Sequence, residues 1–197
     1  MKPIAAKAFK NNPTINDVKE CLFMMRIRDR FLLGAIDCFI NTDNKDYYQL
    51  VITSELALYD LENYVKSLSE KGKFIDEEEF KNILAQVAIA IETLHRDLYI
   101  CHIDLKPANI LIFADIKVKL SDFGFLKEID KSSISISKCG TPIFTAPEVL
   151  GVIKGRILPF VTDIYSLGMT ACWMVNLETP DIFEIHEKKI KFPDQYS

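Results

Sequence analysis

Glycine is scarce in this chain, with seven residues in 197: Gly34, Gly72, Gly124, Gly140, Gly151, Gly155 and Gly168. None of them build a G-x-G-x-x-G segment, so this stretch holds no glycine-rich phosphate loop. Metal-ligand spacing is missing too. The five cysteines (Cys21, Cys38, Cys101, Cys139 and Cys172) form no C-x-x-C, and only three histidines accompany them. An odd, dispersed set reads as reduced thiols in a cytoplasmic or nuclear protein. There is no basic excess: 24 Lys and Arg against 28 Asp and Glu leave a net charge of −4, which argues against nucleic acid as a partner. The longest uncharged apolar-rich run, 164–177, falls short of the roughly 20 residues that a membrane span needs. It reads as a buried core helix, and no membrane partner is expected. Residues 1–10 carry charge and no apolar core of a secretory leader. Repeats and low-complexity linkers are absent.

What is present is polar chemistry in a fixed order. His102-Ile103-Asp104-Leu105-Lys106-Pro107-Ala108-Asn109 is followed by Asp122-Phe123-Gly124 and, beyond a serine-rich loop, by Ala146-Pro147-Glu148. Each piece alone is an ordinary loop or turn. Three in order, separated by short strand-like segments, suit phosphoryl transfer. That reaction needs a positioned hydroxyl, charge neutralisation at the phosphates and metal ions held by oxygen. Asp104 can accept or orient the proton of an attacking hydroxyl. Asn109 and Asp122 offer the hard oxygen atoms that Mg²⁺ prefers. Lys106 can meet the transferring phosphate as a point charge.

These motifs resemble the eukaryotic protein kinase family, serine/threonine branch, across nearly the whole chain. The resemblance implies ATP and Mg²⁺ as cofactors and a protein substrate with a Ser or Thr acceptor. It implies that Asp104, Lys106, Asn109 and Thr141 are catalytic, with Thr141 bonded to Asp104 and Lys106. Asn109 and Asp122 become the metal ligands. Ile4-Ala5-Ala6-Lys7 is similar to the family's strand whose lysine grips the ATP phosphates, and Glu20 fits the helix acid that pairs with it. Thr53, Ser54, Glu55 and Leu56 fall at the hinge, beside the adenine. Asp163 matches the acid that braces the catalytic loop from below. Ser137 stands four residues before Thr141, where many relatives carry an activating phosphate, among further acceptors Ser132, Ser133 and Ser135; Lys127 sits where that phosphate is often held.

Three departures accompany the resemblance. The glycine-rich loop is missing. The later helices of the large lobe are missing, including the arginine that normally pairs with Glu148. The family's His-Arg-Asp is His102-Ile103-Asp104 here, and isoleucine has no donor for a phosphate. The expectation is a catalytic core shortened at both ends.

The expected fold is α+β with two lobes. Residues 1–53 form a partial small lobe, a reduced sheet with one helix; residues 54–197 form a partial, mainly helical large lobe. A short strand carries Lys7. Helix 14–28 is capped by Thr14 or Asn16. Strands 31–40 and 47–53 follow, with Leu50-Val51-Ile52 as a β-branched centre. Asp60 opens a helix that ends near Gly72. Asp76 and Glu79 start a long helix whose Phe80, Ile83, Leu84, Val87, Ile91 and Leu94 recur at steps of three and four. Strands 110–112 and 118–120 hold Asn109 and Asp122 at their ends. A last helix around Asp163, capped by Thr162, runs to 177. Its apolar residues point to an exposed patch on the large lobe that binds a partner or a second copy. Three readings stay open: an active serine/threonine kinase, a pseudokinase or scaffold that binds partners, and a fragment without a stable fold of its own.

Overall fold

The computed structural model describes residues 3–9, 12–42, 48–128, 141–150 and 159–176. Strands β1 (Ile4–Ala8), β2 (Ala35–Asn41) and β3 (Gln49–Glu55) form an antiparallel sheet in the order β1-β3-β2. The central strand is buried from Leu50 to Ser54, and its aliphatic, β-branched middle suits a pleated surface covered by neighbours. Position 47 lies outside the described residues. At its other end β3 runs on to Glu55, through the division expected between 53 and 54.

Helix α1 (Ile15–Arg26) lies on this sheet, burying Glu20, Cys21 and Met24. Thr14 caps it: its hydroxyl accepts from the Asp17 N–H at 3.3 Å, and the Asp17 carboxylate accepts from the Thr14 N–H at 2.6 Å. The cap is thus Thr14 and not Asn16.

The described residues beyond this sheet are mainly helical. Strand β4 (Tyr59–Asp60) leads into α2 (Leu61–Ser69), where the Asp60 carboxylate accepts from the Asn63 N–H at 2.7 Å. Gly72 follows with φ +63°, the left-handed conformation that glycine adopts without a Cβ penalty. Helix α3 (Glu77–Glu92) is capped by Asp76 and buries Ile83, Val87, Ala90 and Ile91. Glu79 accepts from the Tyr64 hydroxyl, tying α3 to α2. A π-helical turn, Thr93–Asp97, brings the chain to β5 (Ile100–Cys101). Strands β6 (Ile110–Ile112) and β7 (Val118–Leu120) join β4 in a second sheet, order β4-β6-β7, while β5 pairs with β8 (Lys127–Glu128). A short α4 (Pro147–Leu150) precedes α5 (Pro159–Asn176).

The expected strand 31–40 starts only at Ala35. The Asp29 carboxylate turns the chain by accepting from Phe31 and Leu32 N–H, and residues 31 and 33 then bond Leu120 of β7. This segment pins the two sheets together. Nor does Thr162 cap α5. The helix begins three residues earlier, at Pro159, whose missing N–H costs nothing in a first turn, and the Thr162 hydroxyl donates to the Pro159 carbonyl at 2.6 Å. Helix α5 packs on α3, and Trp173 and Met174 enter a core that runs unbroken from Phe9 through Leu32, Ile83 and Leu120. The expected apolar patch narrows, among the described residues, to Val161 and Ile164 on the outer side of α5. Among the described residues no helix is long and apolar enough to cross a membrane.

The expectation of reduced thiols is overturned at one pair. Cys21 of α1 and Cys38 of β2 are joined in a disulfide. Their 17-residue separation says nothing by itself; the packing of α1 on the sheet brings them together. Cys101 and Cys172 are not disulfide-bonded, and Cys139 lies outside the described residues.

Candidate active site

Residues 102–106 form a loop between β5 and a 3₁₀ turn, Pro107–Asn109. Ile103 has φ +72°, a strained conformation for a β-branched residue. Asp163 of α5 holds it. This carboxylate is fully buried and accepts from the His102 N–H at 2.8 Å, the Ile103 N–H at 2.9 Å and the His95 Nε2 at 2.8 Å. The His102 ring donates from Nε2 to the Ser121 carbonyl at 2.9 Å, linking the loop to the segment that carries Asp122. Burial, then the Asp163 charge, push the nearby Cys101 thiol well up, which keeps it protonated.

Asp104 emerges from this loop almost fully buried, at 4% exposure. Its Oδ2 accepts from Lys106 Nζ at 2.8 Å and Asn109 Nδ2 at 3.1 Å. Its Oδ1 accepts from the Thr141 N–H at 2.9 Å and the Thr141 hydroxyl at 3.1 Å. Lys106 Nζ also donates to Thr141 Oγ1 at 2.7 Å. These bonds to charged groups are the strong kind, and they leave the carboxylate one orientation.

A second cluster forms where α1 faces β1. Lys7 Nζ donates to Glu20 Oε1 at 2.7 Å and Asp122 Oδ1 at 2.9 Å. Burial works to lower the Lys7 pKa, but the hydrogen bonds and charges of Glu20 and Asp122 outweigh it and hold the ammonium above its ordinary value. Burial pushes the Glu20 carboxyl up, only partly offset by Lys7; Glu20 is 2% exposed. Gly124 completes the fit, since a Cβ there would stand 3.4 Å from Glu20 Oε2. Phe123 anchors the turn, its ring edge-on to Phe23 at 4.8 Å and His102 at 5.7 Å.

Asn109 and Asp122 sit at neighbouring ends of β6 and β7. The Ser121 N–H and hydroxyl both donate to the Asn109 carbonyl at 2.9 Å, so the metal-ligand candidates are brought side by side. A carboxylate and a carboxamide oxygen form a donor set that fits a hard divalent cation. A cleft of about 510 Å³ opens beside the hinge, lined by Ala5, Ser54, Leu56, Tyr59 and Leu111 among others, Glu55 included. Thr53 does not line this cleft. Its hydroxyl donates to the Asp37 carbonyl, because strand alternation turns it away from Ser54. Ser132, Ser133, Ser135 and Ser137 lie outside the described residues.

Sequence reasoning missed several residues here. Ala5 and Leu111 line the cleft, and period-two spacing from Lys7 and Asn109 was the signal that could have found them. His95 and the Cys21–Cys38 bond carried no such signal. Ile103 is also more than a lost donor. It packs with Cys101, Ala146 and Val149, flanked by Phe160 and Tyr165.

A family model described as "protein kinase domain" matches residues 1–195. The probable serine/threonine-protein kinase MARK-C of Dictyostelium discoideum is 30% identical over 170 residues, covering 84% of this chain and 21% of the relative. Testis-specific serine/threonine-protein kinase 1 of Mus musculus is 34% identical over 163 residues, covering 80% of this chain and 42% of the relative. The chain thus spans less than half the length of either relative. Among solved structures, a chain of the yeast RNA Pol II CTD kinase CTDK-1 complex matches with a TM-score of 0.77 at 20% identity, covering 90% of this chain and 56% of that one. At that identity the likeness concerns the fold.

Proposed function

This chain belongs to the protein kinase domain family, and from that premise we propose that it transfers the γ-phosphate of ATP to Ser or Thr hydroxyls of protein substrates. The observation that carries the reading is the fixed carboxylate of Asp104, buried at its base and held by Lys106, Asn109 and Thr141. A hydroxyl delivered to Asp104 meets an acceptor already oriented, so little reorganisation is left for the reaction itself. Lys106, bonded to both Asp104 and Thr141, carries positive charge to the place where phosphate charge shifts. Thr141 links the acceptor-side loop to Asp104, which makes the order of that loop a condition for the order of the catalytic carboxylate.

Lys7 is the phosphate-gripping cation of this reading. Glu20 holds its ammonium in place. Its bond to Asp122 is the one a nucleotide phosphate would replace. Asn109 and Asp122 would hold Mg²⁺, which when bound neutralises phosphate charge. The adenine would lie in the hinge cleft against Ala5, Leu56 and Leu111. The test is calorimetry with Mg²⁺-ATP, followed by labelled phosphate transfer to a generic Ser/Thr protein acceptor. Transfer by the wild-type chain that Asp104→Asn abolishes supports the reading; equal transfer by both sinks it.

A further inference from the structure

Glu20 and Cys21 are consecutive on α1, and each is bonded to one end of the same rung of the sheet. In β1-β3-β2 register, Lys7 lies opposite Ile52, and Ile52 lies opposite Cys38. Directly opposed residues of antiparallel strands project to one face, so Lys7, Ile52 and Cys38 all face α1. Glu20 closes on Lys7 at one end of the rung, through an ion pair of 2.7 Å. Cys21 closes on Cys38 at the other, through a covalent bond. The helix is therefore clamped across the sheet at two points, one covalent and one electrostatic.

We propose that Cys21 and Cys38 form a reversible thiol–disulfide site, taking low-molecular-weight thiols and disulfides as reactants, that sets whether Glu20 stays on Lys7. The disulfide state is the paired state seen here. Losing the covalent point leaves α1 held by the ion pair and by the packing of Met24 and of Phe23 on Phe123, and its outer face is already exposed at Ile15, Val18 and Leu22. The helix can then turn about the sheet and carry Glu20 off Lys7. Cys21 is 5% exposed, while Cys38 is half-buried, so an incoming thiolate reaches the sulfur of Cys38. It forms a mixed disulfide there and expels Cys21 as a thiolate, which takes up a proton. A second thiol attacks the mixed disulfide, releases Cys38 as a thiol and leaves as the oxidised small-molecule disulfide. Two electrons pass from the thiols to the protein, and a small-molecule disulfide runs the exchange in reverse.

The effect on nucleotide binding rests on the activity proposed above; the effect on α1 does not. The full chain is prepared oxidised with glutathione disulfide and reduced with dithiothreitol, and the state of Cys21 and Cys38 is read by alkylation and mass spectrometry. Hydrogen exchange over 15–26 and Mg²⁺-ATP affinity are measured in both states. Reduction should speed exchange in α1 and weaken ATP by a factor within the roughly 5–150-fold that couplings between sites span; reoxidation should restore both. Cys38→Ser and Cys21→Ala should each match the reduced wild type and ignore dithiothreitol. Exchange unchanged between states, or sulfurs that stay alkylatable under oxidant, would overturn the proposal. If α1 responds but neither state binds nucleotide, the site stands and the kinase activity falls.

Discussion

Asp104 and Thr141, 37 residues apart, are joined twice: the Thr141 N–H and hydroxyl both donate to the same oxygen of Asp104. The residue expected to receive a proton and the residue expected to order the acceptor loop are thus one unit. Asp104→Asn removes the acceptor at that oxygen or flips it to a donor. Turnover should fall by about 10²–10⁴-fold, while ATP affinity stays nearly unchanged because Asp104 is not among the groups that reach Lys7. Single-turnover phosphate transfer beside calorimetry separates the two quantities.

Nucleotide affinity should depend on Lys7 and Asp122 in different ways. Lys7→Ala removes the cation and leaves the buried Glu20 without its ion-pair partner, so ATP should bind more weakly with or without Mg²⁺. Charge-assisted bonds of this kind are worth about 1.5–3 kcal/mol each. Asp122→Asn should weaken ATP only when Mg²⁺ is present. Titrations at fixed ATP with and without the cation distinguish them, and an unchanged affinity in Lys7→Ala would remove β1 from the site.

The pH dependence of stability follows from the Lys7 cluster. The Lys7 pKa lies above its ordinary 10.5, so its contribution is complete below that value and is lost as pH rises through the higher folded pKa. The Glu20 pKa lies above its ordinary 4.5, so the folded state favours the protonated acid, and this group subtracts stability as pH rises from 4.5 through its raised value. Urea denaturation should show a loss of stability above pH 10.5 that Lys7→Met lacks.

Asp163→Ala should be among the most damaging substitutions available. It strands the buried N–H groups of His102 and Ile103, each at a cost of about 1–3 kcal/mol. Asp163→Asn keeps one oxygen and should lose less. Denaturant midpoints rank the two; equal stability of Asp163→Ala and wild type would mean that Ile103 does not need the brace.

Ile103 should not tolerate an arginine. It is 5% exposed in an apolar cluster with Cys101, Ala146 and Val149, and the neighbouring Asp163 carboxylate is already taken by the His102 and Ile103 N–H groups and by His95. Ile103→Arg should destabilise the chain by at least about 2 kcal/mol. Because Ile103 has no donor for a phosphate, phosphorylation at Ser137 should change turnover only modestly in the wild type. Thermal melts and a comparison of Ser137→Ala, Ser137→Glu and phosphorylated protein check both statements.

The sequence by itself determined the local chemistry. The order from His102 through Glu148 announced the loops, the caps at Thr14, Asp60 and Asp76 announced three helix starts, and the three-and-four spacing from Phe80 to Leu94 announced α3. These signals lie within a few residues of the backbone groups they satisfy, so they survive without a fold. Tertiary structure decided whatever joins distant residues. Thr53 turned to Asp37 because of strand register. Residues 31–33 left the sheet because Leu120 offered them partners. Cys21 met Cys38 because α1 crosses the sheet along a rung that also carries Lys7. Register and helix placement are settled by burial summed over many side chains, and no short stretch of sequence holds that sum.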